Sequence, residues 1–244
     1  MNLRSEEVVY QAPGVTLRGF VAWDPRRKEK RPGVLVVHEW WGHDEYVRGR
    51  ARELAGAGYT ALAVDMYGDG RVAETPEEAQ KLMLEVVGDI ERMRTRFVAA
   101  RDLLLEREDT DDARIAAIGY CFGGAVVLQM ARLGLDLRGV ASFHPGSLTT
   151  PHPARRGSLR AKVLVCLGEA DPFVSQDERA GFRREMTNAG ADFELVEYPR
   201  VLHGFTVPAA TERGRKYGLP LAYDAKADRD SWSRLQVLLE RSFT

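Results

Sequence analysis

Unbroken runs of β-branched and other apolar residues alternate along the chain with stretches of helical periodicity. VLVV at 34–37, TALAV at 60–64, RIAAIG at 114–119, GVASF at 139–143 and KVLVCLG at 162–168 read as strands buried on both faces. DFELVEYP at 192–199 reads as a further strand. Helical patterns fall between them, at about 45–56, 76–107, 125–134, 176–188 and 228–241. The second opens at Thr75-Pro76-Glu77-Glu78, with threonine as N-cap and proline at the first helical position, and Gly88 is placed to split it in two. The chain starts as a hairpin: VVY at 8–10, a turn at Ala12-Pro13-Gly14, then TLRGFVA at 16–22. Residues 206–227 read as an irregular loop. This alternation predicts an α/β fold whose mostly parallel central sheet carries helices on both faces. In such sheets chemistry gathers beyond the carboxyl ends of the strands.

Composition narrows the picture only slightly. A chain of 244 residues suits one domain, 1–244, large enough to cover both faces of a sheet. The net charge of −1 argues against a global attraction to nucleic acid or an anionic membrane, and leaves a small molecule as the expected partner. The basic run DPRRKEKRPG at 24–33 reads as a solvated turn, because Asp24 and Glu29 interrupt it and prolines bound it. MNLRSEEVVYQAPG at the start has no apolar signal core, and no stretch approaches the roughly 20 apolar residues a bilayer crossing needs. Two cysteines, Cys121 and Cys166, make no disulfide framework. A reducing cytoplasm is the expectation. Monomer and dimer both remain open.

The most informative stretch is RIAAIGYCFGGAVVLQM, which sets Gly119-Tyr120-Cys121-Phe122-Gly123, followed by Gly124, between a buried strand and a helix. A sharp strand-to-helix turn forces its central residue into a strained backbone conformation, and neighbours two positions away must be small. The same turn places Cys121 at a helix N-terminus, where the dipole favours a thiolate. Cys166 sits in mid-strand without turn glycines and reads as core.

In α/β-hydrolases, which share such a turn, the nucleophile is followed in the chain by an acid and then a histidine. After Cys121, Asp171 in LGEADPFV lies just past a strand, with Asp177 a weaker rival. The one histidine beyond Asp171 is His203, in YPRVLHGF, also past a strand end. Cys121, Asp171 and His203 are therefore the candidate nucleophile, acid and base.

His38-Glu39-Trp40-Trp41-Gly42-His43 nearly matches the zinc motif His-Glu-x-x-His, but its histidines are five apart and would not share a helix face. No metal is expected. By position, this loop supplies an oxyanion-hole amide at Trp40, with Phe122 supplying the other. Trp40, Trp41, Phe122 and Phe205 are candidate walls of an apolar pocket, with core packing the alternative for Trp41.

At these residues the chain resembles the dienelactone hydrolase family. HEWWG, GYCFGG, the Asp171 segment and HGF around His203 match in order, from 38 to 205, and a cysteine in the nucleophile position is fairly specific. The resemblance implies one α/β-hydrolase domain of about eight strands without a separate lid domain. It implies a carboxylic ester or lactone hydrolase with no cofactor, acting through a thioester acyl-enzyme. It also implies a role for Glu39, which in the family touches the cysteine and controls thiolate formation. One departure concerns the substrate. Family members that cleave dienelactone carry an arginine a few residues after the histidine to hold the substrate carboxylate, where this chain has Val207. Arg71 is a candidate for the family's second arginine, and Tyr120, Phe205 and Val207 are candidates for the pocket. The expected substrate is thus a neutral or larger ester or lactone rather than dienelactone. A thioesterase or amide hydrolase on the same triad is one alternative, and a non-catalytic small-molecule binding protein on a hydrolase fold is another.

Overall fold

The computed structural model describes residues 3–244; Met1 and Asn2, the first residues of the N-terminal stretch read above, lie outside them. Fifteen elements follow in the order β1 (Arg4–Ala12), β2 (Val15–Trp23), β3 (Arg31–Val37), α1 (Glu45–Ala57), β4 (Thr60–Val64), α2 (Pro76–Val87), α3 (Ile90–Leu105), β5 (Thr110–Tyr120), α4 (Phe122–Arg132), β6 (Gly139–Phe143), β7 (Lys162–Gly168), α5 (Gln176–Ala189), β8 (Phe193–Tyr198), α6 (Ala210–Tyr217) and α7 (Ala225–Phe243). The strands form an eight-stranded sheet of order β1-β2-β4-β3-β5-β6-β7-β8. β1 and β2 pair antiparallel, as do β2 and β4, while β3–β4, β6–β7 and β7–β8 are parallel. Among the described residues no helix is long and apolar enough to cross a membrane.

The chain groups into two compact units, the first ending at Ala117 and the second running Ile118–Thr244. In the first, Val34–Val37 and the whole of β4 are buried, as strands covered on both faces must be. Thr75 caps α2 through its side chain, and Gly88 ends that helix, so that Asp89 can cap α3. Asp65, directly after β4, is fully buried. Its carboxylate accepts the backbone N–H of Arg18, Tyr67, Gly68 and Gly70 at 2.8–2.9 Å, which fixes the 65–70 loop. The charged 24–33 turn corrects the sequence reading. Its tip is solvated, but Arg31 belongs to β3 and is buried, bonding Thr60 Oγ1 (3.0 Å) and the Arg27 carbonyl (2.9 Å) and pairing with Asp109. Its fork satisfies groups that the turn would otherwise bury unpaired.

In the second unit β6 and nearly all of β7 are buried. Gly124 lets α4 pack closely, since a Cβ there would meet Ser142 Oγ at 2.6 Å. Ser175 and Glu178 form a reciprocal capping box at the start of α5. The expectation of an irregular loop at 206–227 is overturned by α6, which occupies Ala210–Tyr217. This helix has no side-chain N-cap. It is held by close approach: Gly214 has no Cβ, and one built there would sit 2.5 Å from the Leu221 carbonyl oxygen.

Candidate active site

The turn after β5 is built as the glycine spacing requires. Cys121 has φ 53° and ψ −114°, left-handed for a residue with a side chain. A Cβ on Gly119 would lie 2.1 Å from the Gly123 carbonyl oxygen, so only glycine permits so sharp a turn. The strained backbone is fastened from both sides. Cys121 N–H donates to the Phe143 carbonyl (3.0 Å), and the Cys121 carbonyl accepts from Gly146 N–H (3.3 Å). Phe122 is the first residue of α4, and Cys121 is partly exposed at its N-terminus.

The structure brings the side chains of Asp171 and His203 together. His203 Nδ1–H donates to Asp171 Oδ2 at 2.7 Å, and both side chains are buried. The other carboxylate oxygen accepts the Phe173 N–H at 2.9 Å, which fixes the rotation of the carboxylate. Burial by itself would push the imidazole pKa down. The charge of the nearby Cys121 and the bond to Asp171 outweigh it and raise the value to about 10. His203 Nε2 has no partner of ordinary hydrogen-bond geometry among the described residues. Cys121, His203 and Asp171 thus have the order that proton transfer from a thiol requires: a thiol, a ring that donates its Nδ1–H away from that thiol, and an anion that accepts it. Asp177, the rival acid, is exposed at the start of α5.

Two rings clamp the imidazole that the sequence reading did not foresee. His144 stands edge-on to it at 5.1 Å, and Phe173 at 4.9 Å on an almost perpendicular plane. His144 is fully buried, with φ 36°, and its Nε2 is 2.7 Å from Thr206 Oγ1. A search for a base beyond Asp171 passes over it, because it precedes the acid in the chain. The signal available was a histidine just past a buried strand and before Pro145. Phe173, two residues past Asp171, is 43% exposed although it packs on the imidazole.

The remaining pocket candidates lie differently from the expectation. Tyr120, Phe205 and Val207 are buried packing: Tyr120 stacks on Phe143 (5.0 Å) and Phe205 packs on His144 (5.2 Å). The reason is packing: Tyr120 closes the buried end of β5, and Phe205 also packs on Tyr198 (5.3 Å). Cys166 is core, as its mid-strand position implies. Burial pushes its thiol up to about 12, against a smaller opposing effect from the Tyr198 hydroxyl.

In the first unit, the loop after β3 holds Glu39 and Trp41 buried and Trp40 half-buried. The Trp40 carbonyl accepts from Tyr67 O–H at 3.0 Å, and the Trp41 carbonyl from Ala73 N–H at 2.8 Å. Both histidines of this loop serve the main chain. His38 Nδ1–H donates to the Glu39 carbonyl and its Nε2 accepts from Met66 N–H (3.2 Å), while His43 Nε2–H donates to the Ala63 carbonyl (3.0 Å). Burial lowers both pKa values, that of His38 to about 4. Among the described residues no three His, Cys, Asp or Glu side chains are grouped to hold a metal ion. Arg71 turns its guanidinium back to the carbonyls of Gly68 and Tyr67 in its own loop, with Glu85 at 3.9 Å.

Comparison with known proteins identifies the family. The family model described as "Dienelactone hydrolase family" matches residues 17–243. A protein of Aquifex aeolicus provisionally named carboxymethylenebutenolidase is 27% identical over 205 residues, 81% of this chain and 85% of its own. Among solved structures, one titled "m3DLH" is 34% identical and covers 100% of both chains with a TM-score of 0.92. A dienelactone hydrolase-like promiscuous phosphotriesterase from metagenomic libraries is 32% identical, covers 99% of both chains and also has a TM-score of 0.92.

Proposed function

Since the chain belongs to the dienelactone hydrolase family, we propose that it hydrolyses a carboxylic ester or lactone through Cys121, His203 and Asp171. The observation that carries this is the buried His203–Asp171 bond of 2.7 Å beside a cysteine held at φ 53° on a strand-to-helix turn. The Cys121 thiolate attacks the carbonyl carbon. The resulting oxyanion is held by the Phe122 amide and, on the family resemblance, by the Trp40 amide; one such donor is typically worth about 10²- to 10³-fold in rate. The imidazolium of His203 protonates the leaving alkoxide. His203 then takes a proton from water, which attacks the thioester and releases the acid and the thiolate. Asp171 holds the ring in the tautomer that leaves Nε2 facing the reaction and stabilises its charge. Glu39 is assigned control of thiolate formation on the resemblance alone.

The absence of an arginine shortly after His203 argues for a neutral substrate, and Arg71, bound into its own loop, does not present a carboxylate fork. Across a panel of neutral p-nitrophenyl esters, a thioester, an anilide and a carboxylate-bearing lactone, kcat/KM for a neutral ester should exceed that for the anionic lactone by about 10-fold or more, the worth of one charge-assisted hydrogen bond. The reverse order would contradict the substrate assignment, and preference for the thioester or anilide would move the activity to that class. The 32% identity to a promiscuous phosphotriesterase favours one addition to the panel, a p-nitrophenyl phosphotriester. Attack by the same thiolate would release p-nitrophenolate from phosphorus.

A further inference from the structure

Arg179 on α5 is a buried cation that the proposed reaction does not use. It is 3% exposed, and its guanidinium lies where several carbonyl groups of one loop converge. Nη2 bonds the carbonyls of Val174 (2.9 Å), Glu169 (3.1 Å) and Gly168 (3.2 Å), with that of Asp171 at 3.4 Å. Nε adds a second bond to Val174 (3.1 Å). The segment from the end of β7 through Asp171 is therefore wrapped around one positive charge. The opposite end of the fork, Nη1, donates to Glu197 Oε2 at 3.0 Å. Glu197 is in β8, the strand that leads into the His203 loop. Its second oxygen is held by Arg183 at 2.6 Å.

Backbone contacts lace the same two loops together. Glu169 N–H donates to the Tyr198 carbonyl (2.8 Å) and Ala170 N–H to that of Val201 (3.1 Å). Gly168 permits the approach, since a Cβ there would lie 2.1 Å from the Val201 carbonyl oxygen.

We propose that Arg179 is a positioning residue, whose guanidinium ties the acid loop to the strand carrying the base and so holds Asp171 in register with His203. The proposal rests on the triad reading above. A planar fork can serve both ends at once, whereas an ammonium group is a single point of charge that reaches one of them. Small errors of placement are costly at a reacting centre, and the Asp171–His203 bond is the contact that this frame sets.

The test compares Arg179→Met and Arg179→Lys with wild type, with thermal melts to establish that each variant is folded. Arg179→Met should lower kcat by about 10- to 100-fold with KM unchanged. The alkaline limb of the kcat/KM profile should move to lower pH by on the order of one unit, because a displaced Asp171 supports the imidazolium less well. The groups facing that imidazole are Asp171, Cys121 and His144. Arg179→Lys should fall between the two. A role in stability alone would lower the melting temperature and leave both kcat and the pH limb in place. Should the methionine variant not fold, the lysine variant decides, and a folded Arg179→Lys with wild-type kcat and pH profile would overturn the proposal. Cys121→Ala is measured alongside. If it stays active the triad reading itself fails, whereas if it is inactive while the Arg179 variants match wild type, only the positioning role fails.

Discussion

Asp171→Asn lowers kcat by about 10³- to 10⁴-fold while the protein remains folded. The carboxylate has two separate duties: Oδ1 accepts the Phe173 N–H and Oδ2 accepts the His203 Nδ1–H. Asparagine can keep the first with its carbonyl oxygen. Its amide nitrogen then faces Nδ1 and donates to it, so the ring must carry its proton on Nε2. That tautomer cannot take a proton from Cys121. The negative charge that supports the imidazolium is lost as well. Steady-state kinetics on an activated ester, with a near-ultraviolet spectrum to establish folding, reads the effect. An Asp171→Asn protein with near wild-type kcat would remove Asp171 from the proposed mechanism.

The second large effect is on stability. Gly119→Ala should destabilise the protein by more than about 4 kcal/mol, beyond ordinary overpacking, because the clash is with backbone. The new Cβ would sit 2.1 Å from the Gly123 carbonyl oxygen and 2.7 Å from Gly124 N. Neither atom can rotate away, so relief requires opening the turn that sets the Cys121 conformation. Gly181→Ala is the matched control. It lies within α5, where a Cβ would meet only the end of the Arg184 side chain at 3.9 Å, and there alanine should stabilise by roughly 0.5–1 kcal/mol. Denaturant midpoints compare the two. Equal stability of Gly119→Ala and wild type would mean that the turn does not need its glycine.

Much of this architecture is legible locally, and the parts that are not have a common cause. β3, β4, β6 and β7 announce themselves because a strand buried on both faces needs a continuous apolar run. The glycines around Cys121 are legible because a steric constraint fixes their spacing. Asp171 and His203 follow from chain order and strand ends. What sequence reasoning missed is set by distant parts of the chain. Arg179 lies in an amphipathic helix, where an arginine ordinarily faces water; it is buried because the 168–174 loop folds back over it. His144 is placed by its contacts with Thr206, His203 and Phe205, 59 or more residues away in sequence. The short α6 has an interior glycine and no capping side chain, so its helical state depends on the Leu219–Leu221 segment packed against Gly214. Tyr120 and Phe205 read as pocket aromatics because residue type alone does not say whether an aromatic packs inward, as these two do.

The central claim is covalent catalysis by Cys121, and the most direct measurement is the mass of the enzyme during turnover. Wild type and Cys121→Ala are mixed with a p-nitrophenyl ester, quenched in acid during the first turnovers, and analysed intact and as peptides. The account predicts a wild-type species heavier by one acyl group, mapped to the peptide containing Cys121, and neither adduct nor turnover in Cys121→Ala. Cys166, buried with its thiol pushed up to about 12, should stay unmodified. Turnover that persists in Cys121→Ala, or an acyl group mapped to any other residue, would contradict the account.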